Sequence, residues 1–231
     1  MSDAQIQIVG KGANINNFLD VDPSFLATRT SLRPLEYAPL GGVQGGHFRA
    51  AFSYSNTAAK PAAASPIFSL RNTDPTKLLI IKRVILWLAC TTAYTTAGAQ
   101  DAALWIARNF SGSDSGGTAL SVAAGARLRT SLMAPSNLGN TILGQISSGD
   151  TLTAGTRTLD TYPVGYAAWV NPAAAGAVAG PFYLFDKEAG DHPIILSSNE
   201  GVVLSTPLGN AQAAGVSKWS VFVDWLESSV F

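Results

Sequence analysis

From His47 onward the chain is a series of short apolar runs, cut by turn signals about every 8–12 residues. The signals are Ser148-Gly149-Asp150, Ala154-Gly155, Asn171-Pro172, Glu188 to Asp191, Asn199-Glu200-Gly201 and Leu208-Gly209-Asn210. Such spacing is too short for a helical core and favours a β-sandwich or barrel. The runs read as strands: HFRAAFSY, SPIFSLRN, KLLIIKRVILWLA, DAALWIARNF, TILGQIS, DTLTAGTRTLD, VGYAAWV, PFYLF, HPIILSS, EGVVLST and KWSVFVDWLE. The last has the clearest period of two. Trp219, Val221, Val223 and Trp225 face one way, and Ser220, Phe222, Asp224 and Leu226 the other. The tract AAAGAVAG follows Pro172 and contains glycines, which favours a loop over a helix.

The chain has 231 residues, a size that one all-β domain can reach. At 47% hydrophobic it can bury a substantial core, yet only 13% of its residues are charged, about half the usual share. Either a Ser/Thr/Asn-rich surface makes up the difference, or much of the surface lies against other subunits. The formal net charge is zero and no Lys/Arg run exceeds Lys82-Arg83. That argues against nucleic acid, whose binders carry a basic excess. Cys90 is the single cysteine, so neither an intrachain disulfide nor a thiolate zinc site is expected. Its setting, LWLACTT, suggests a small buried residue. The leading residues lack the pattern of a signal peptide. The strongest apolar run, Leu78 to Ala89, is split by Lys82-Arg83 and falls short of the ~20 residues of a membrane span. A soluble protein made in a reducing cytosol is the expectation.

Residues 1–45 read differently from residues 46–231. They show no sustained period, are broken by Pro23, Pro34 and Pro39, and end in the glycine-rich joint GGVQGG. They are too apolar for a disordered tail. Ile6, Ile8, Ile15, Phe18, Leu19, Phe25, Leu26, Leu32, Leu35 and Tyr37 are the candidate partner-binding residues of an extended N-terminal arm, one that docks on its own domain or a neighbour's. Fully extended, the arm reaches about 150 Å.

Candidate chemistry is sparse. SGSDSGGTALS, at 111–121, has the look of a phosphate loop or a nucleophile elbow. It lacks the lysine of the first, and Asp114 stands where the second needs serine. A turn is the better reading, with Asp and Ser side chains bonding nearby N–H groups and Gly116-Gly117 free to take positive φ. His47 and His192 form no metal-binding string. Asp150, Asp160, Asp186, Glu188 and Asp191 could contain a glycosidase pair, but each sits by a turn, where Asp is common for local bonding. Trp87, Trp105, Trp169, Trp219 and Trp225 all lie in strands, which points to packing rather than a sugar platform. No catalytic residue, cofactor or metal is expected.

Several stretches together resemble a family of structural proteins encoded by tailed bacteriophages and prophages. They are ARNFSGSDSGGTALSVAAGARLRTSL, GDTLTAGTRTLD, SPIFSLRNTDPTKLLIIKRVILWL, HPIILSSNEGVVLSTP and VFVDWLE, and the likeness spans about 47–231. The resemblance implies an antiparallel β-sandwich of jelly-roll-like type and a non-enzymatic role in the virion, as a decoration or cement protein of the capsid. Its implied partners are the major capsid protein and further copies of itself, as dimer or trimer, without nucleic acid or membrane. Two alternatives stand beside it: a tail- or fibre-associated module, and a carbohydrate-active or carbohydrate-binding sandwich domain.

Overall fold

Alternation of buried and exposed side chains marks residues 165–171 and most of 216–225, whereas 65–71 and 201–206 are covered on both faces. The structure, a computed structural model, describes residues 20–22, 27–29, 47–57, 62–120, 136, 138, 142–144, 152–189, 192–209, 212 and 214–228. A two-stranded ribbon, β1 (Asp20–Asp22) and β2 (Ala27–Arg29), stands apart from two larger sheets. In chain order these use β3 (His47–Thr57), β4 (Ser65–Arg71), β5 (Leu78–Thr92), β6 (Gly98–Arg108), β7 (Thr118–Ala119), β8 (Ile142–Gly144), β9 (Thr158–Leu159), β10 (Gly165–Asn171), β11 (Val178–Asp186), β12 (Ile194–Leu196), β13 (Gly201–Thr206) and β14 (Val216–Ser228). One 3-10 turn, Lys187–Ala189, follows β11.

The first sheet has the order β11-β5-β14-β3, with β12 also on β5; the second has β10-β6-β13-β4-β8-β7, with β9 also on β6. All these pairings are antiparallel. Long strands pair from the outside of the sequence inward: β3 with β14, β4 with β13, β5 with β11, β6 with β10. Successive pairs alternate between the sheets. A long hairpin rolled up in this way is a jelly roll. The sequence-based expectation of an all-β, jelly-roll-like sandwich therefore holds.

Between the sheets lies one core. β14 alternates as expected, with Trp219, Val221, Val223 and Trp225 buried. Trp169 meets Trp219 edge-on, centroids 5.0 Å apart, and Phe48 stacks on Trp225 at 5.9 Å. Each buried indole donates its N–H to the residue two positions away, on the same face of its own strand. Trp169 donates to Asn171, Trp219 to Ser217 and Trp225 to Glu227, at 3.1, 3.2 and 3.1 Å. The period of two thus supplies packing and hydrogen-bond partner together.

Three local expectations need correction. DTLTAGTRTLD is not one strand: Thr153 makes an isolated bridge to Ser115, and only Thr158–Leu159 pairs as a strand. Its glycine and polar residues serve a loop contact instead, described below. Leu226 faces away from Trp225 as expected, but it is buried, because the end of β14 is covered on both faces; the shift between Asp224 and Trp225 leaves Lys82 of β5 as the extra residue. Trp87 does not pack in the core but is 42% exposed on the outer face. AAAGAVAG is a turn only to residue 177, because β11 starts at Val178. The division into residues 1–45 and 46–231 rests on an arm that lies mostly outside the described residues.

β10 and β11, the edge strands of the two sheets, meet at Gly165. A Cβ there would stand 1.8 Å from the Leu184 carbonyl oxygen, so only glycine fits without moving backbone. We expect Gly165→Ala to lower unfolding stability by about 1–3 kcal/mol in urea titrations. Ala168→Ser, exposed on the same strand, should stay within about 0.5 kcal/mol. Equal effects would contradict this close approach.

Candidate functional site

A cluster of charged and polar side chains sits at one end of the second sheet, where β4, β6 and β13 meet the SGSDSGG stretch at residues 111–117. Asp114 is buried there. Its Oδ1 accepts the backbone N–H of Gly155 at 2.8 Å and also bonds the guanidinium of Arg157. Both side chains of this ion pair are almost fully covered, Arg157 at 5% and Asp114 at 0% exposure. Burial pushes the Arg157 pKa below its ordinary value. Gly155 allows the approach, since a Cβ on it would lie 2.1 Å from the Gly112 carbonyl oxygen. Ser115 and Thr153 then pair by two backbone hydrogen bonds. The stretch is a turn, as expected, and Gly116 has φ 78°. The bonding is not local, however: Asp114 reaches a segment some forty residues further along the chain.

Around this pair stand two more arginines. Arg71 donates to Ser113 Oγ at 2.8 Å, to the Phe110 carbonyl at 2.9 Å and to Asn199 Oδ1 at 2.6 Å. The Phe110 ring lies between the guanidinium groups of Arg71 and Arg157, 5.7 and 5.5 Å from its centroid. Arg108 grips Asp160 through Nε and Nη2, at 2.8 and 3.1 Å, and Glu200 through Nη1 at 2.7 Å. The hydrogen bonds that Arg108 donates to Asp160 raise its pKa despite partial burial. Burial alone would raise Glu200. The Ser197 N–H and hydroxyl, with Arg108, outweigh it and hold the carboxyl below its ordinary range. Arg108 and Arg157 thus hold the three carboxylates Asp160, Glu200 and Asp114, while Arg71 ties the Phe110 carbonyl and the Ser113 and Asn199 side chains beside them. The cluster clasps three loops over Val203 and Ala107 on the outer face of the second sheet, with Phe110 packed on them.

The remaining candidates disperse. Asp160 is held by Arg108 at the edge of the second sheet, and Asp186 by Arg83 at 3.3 Å in the first. No glycosidase-like pair is brought together among the described residues; Asp150 and Asp191, and the side chain of Glu188, lie outside them. His47 begins β3, and exposed His192 precedes β12. No cluster of three or more His, Cys, Asp or Glu among the described residues is placed to hold a metal ion. Cys90 is buried, donates its S–H to the Thr92 carbonyl at 3.3 Å, and has its pKa raised by burial. No helix among them is long and apolar enough to cross a membrane. All ten arm residues, Ile6, Ile8, Ile15, Phe18, Leu19, Phe25, Leu26, Leu32, Leu35 and Tyr37, lie outside the described residues.

The outer face of the first sheet has no such roof among the described residues. Cross-strand register places Tyr183, Ile85, Phe222 and Ala51 in one row over four strands. Tyr183 is 57% and Phe222 41% exposed, and Trp87 lies two residues beyond Ile85 on the same face of β5. On the other side of this row runs a charged one: Asp186, Arg83, Asp224 and Arg49 in alternating sign. Burial raises the Asp224 carboxyl pKa, and His47, Arg83, Arg49 and Lys82 partly oppose the rise. An apolar row beside an alternating charged row can bind a partner by burial and orient it by charge. The sequence had placed Phe222 on this face. It gave no sign that Trp87 would join it, because both faces of β5 are apolar in sequence.

Comparison with protein-family models, with curated proteins and with solved structures finds no match. The site must be judged on its own chemistry. For the clasp, Asp114→Ala would leave the Arg157 guanidinium buried without its charge partner, and we expect a loss of about 3–5 kcal/mol in urea titration. The double variant Asp114→Ala/Arg157→Met should recover most of that loss, since an apolar pair of similar volume carries no desolvation cost. Additive losses would contradict a mutually compensating pair.

Proposed function

We propose that this chain is a non-enzymatic structural protein of a tailed-phage virion, decorating or cementing the capsid. Its partners are the major capsid protein and copies of itself, as dimer or trimer. The arm and the surface of the sandwich bridge neighbouring subunits. The observation that carries the reading is the contrast between the two sheet faces. Charged and hydrogen-bonding groups are spent inside the clasp, holding loops in place, while the apolar row Tyr183, Ile85, Phe222 with Trp87 is left exposed. A surface of that kind serves association better than catalysis. On a shell, weak contacts repeated over many copies act together, so each one can be modest. The low charge of the chain fits a molecule with much of its surface against neighbours.

A second reading keeps the assembly role and moves it to the tail, with glycan contact. Exposed Tyr162 and Tyr166, at 80% and 56%, favour it, since aromatic faces stack on sugars.

Particles bearing the chain with a small C-terminal label, imaged by electron microscopy, separate these readings. We expect label distributed over the head. Label confined to the tail would transfer the role to the second reading, and particles without label would overturn both.

A further inference from the structure

Side chains on a strand face the same way at every second position, so cross-strand register fixes what the outer face of the first sheet presents. Two rows cross it from β11 to β3. One is Asp186, Arg83, Asp224 and Arg49; the next is Tyr183, Ile85, Phe222 and Ala51. A third row runs from Trp87 of β5 to Ser220 and Ser53. Arg49, Ala51, Ser53, Trp87, Tyr183 and Phe222 are exposed, and the three other charged side chains are half-buried.

Each row complements its own reverse. The charged row reads acid, base, acid, base, so reversal sets Asp186 over Arg49 and Arg83 over Asp224. Size follows the same rule. Reversal sets Tyr183 over Ala51, Ile85 over Phe222 and Trp87 over Ser220, so the largest exposed side chains meet smaller ones or the half-buried Ile85. Strand order is reversed, with each row kept in line, by a two-fold axis parallel to the strands, midway between β5 and β14, in the plane between two stacked sheets. Sheets packed face to face keep their strands within about 30° of each other, as that axis requires. An axis laid along the charged row would instead set Asp186 over Asp186 and Arg83 over Arg83, which costs affinity. Moved off that row, it would set charges against apolar or hydroxyl side chains.

We infer that the outer face of the first sheet is a homodimer interface: it stacks on the same face of a second copy about this two-fold axis, with Asp186 against Arg49 and Arg83 against Asp224. The inference rests on the reading of this face as an association surface, and it names a second copy as the occupant. Four strands at ~4.8 Å spacing with about 30 Å of shared length cover about 600 Å² per copy. The pair therefore buries about 1,200 Å², the lower end of specific interfaces, which suits a reversible dimer. A dimer presents every other surface twice, so losing this face would also weaken capsid binding by removing the second copy.

Sedimentation of the full chain without capsid tests this. We expect the wild type to form dimers at about 50 μM. Arg49→Asp sets an aspartate against Asp186 in both symmetry-related contacts and should weaken dimerisation about tenfold or more. Asp186→Arg sets an arginine against Arg49 and should do the same. Mixed together, the two variants should form dimers holding one copy of each, because both contacts then pair opposite charges. Circular dichroism shows which variants remain folded. Asp186→Arg gives up the 3.3 Å contact with Arg83, whereas Arg49 is exposed, so Arg49→Asp decides the matter if the other variant unfolds. A monomeric wild type would overturn the inference, as would dimers that Arg49→Asp leaves unchanged or a folded mixture that stays monomeric. A wild-type monomer that still binds capsids would overturn the dimer alone, and a dimer absent from particles would overturn the capsid reading alone.

Discussion

The insertion of β14 between β3 and β5 is the interaction on which the rest of the molecule depends. It brings the end of the chain against the first strand of the sandwich over eleven consecutive residue pairs. It also centres the core on the indoles of Trp219 and Trp225. Until β14 arrives, β3 and β5 have no common neighbour and the inner face of the sheet has no middle. Pairing between residues so distant in sequence carries a large loop-closure cost, repaid only when the strand docks and the core closes with it. The outer face inherits its order from the same event. The register that buries Val221 and Val223 also lines up Ile85, Phe222 and Ala51 in one row, and Arg83, Asp224 and Arg49 in the next.

The two sheets then diverge in use. The second is buried on its outside as well, because the arginine clasp holds loops across Val203 and Ala107. There, polar chemistry is turned inward and spent on shape. The first sheet keeps an exposed apolar row. A jelly roll by itself names no function, since viral shells, lectins and enzymes share it. The functional reading rests on that division between a polar end turned inward and an apolar row left exposed.

What the sequence shows and what it hides follow from range. Strands with a strong period of two were legible, above all KWSVFVDWLE, because burial on one face is written residue by residue. The all-β class and most strand positions came from turn spacing. DTLTAGTRTLD misled because its alternation of Leu, Thr and Ala imitates a strand, whereas Gly155 and Arg157 are there to meet Gly112 and Asp114. That contact spans some forty residues and leaves no local pattern. Trp87 misled for a different reason: in a strand apolar on both faces, sequence cannot say which face is covered.

Binding to assembled capsids that lack the chain tests the proposed association most directly. The wild type would be compared with Trp87→Ser/Phe222→Ser, which changes two side chains exposed on the outer face of the first sheet. The account predicts that the variant keeps the circular dichroism of the folded sandwich and binds about tenfold more weakly or worse. A folded variant that binds as tightly as the wild type would contradict it.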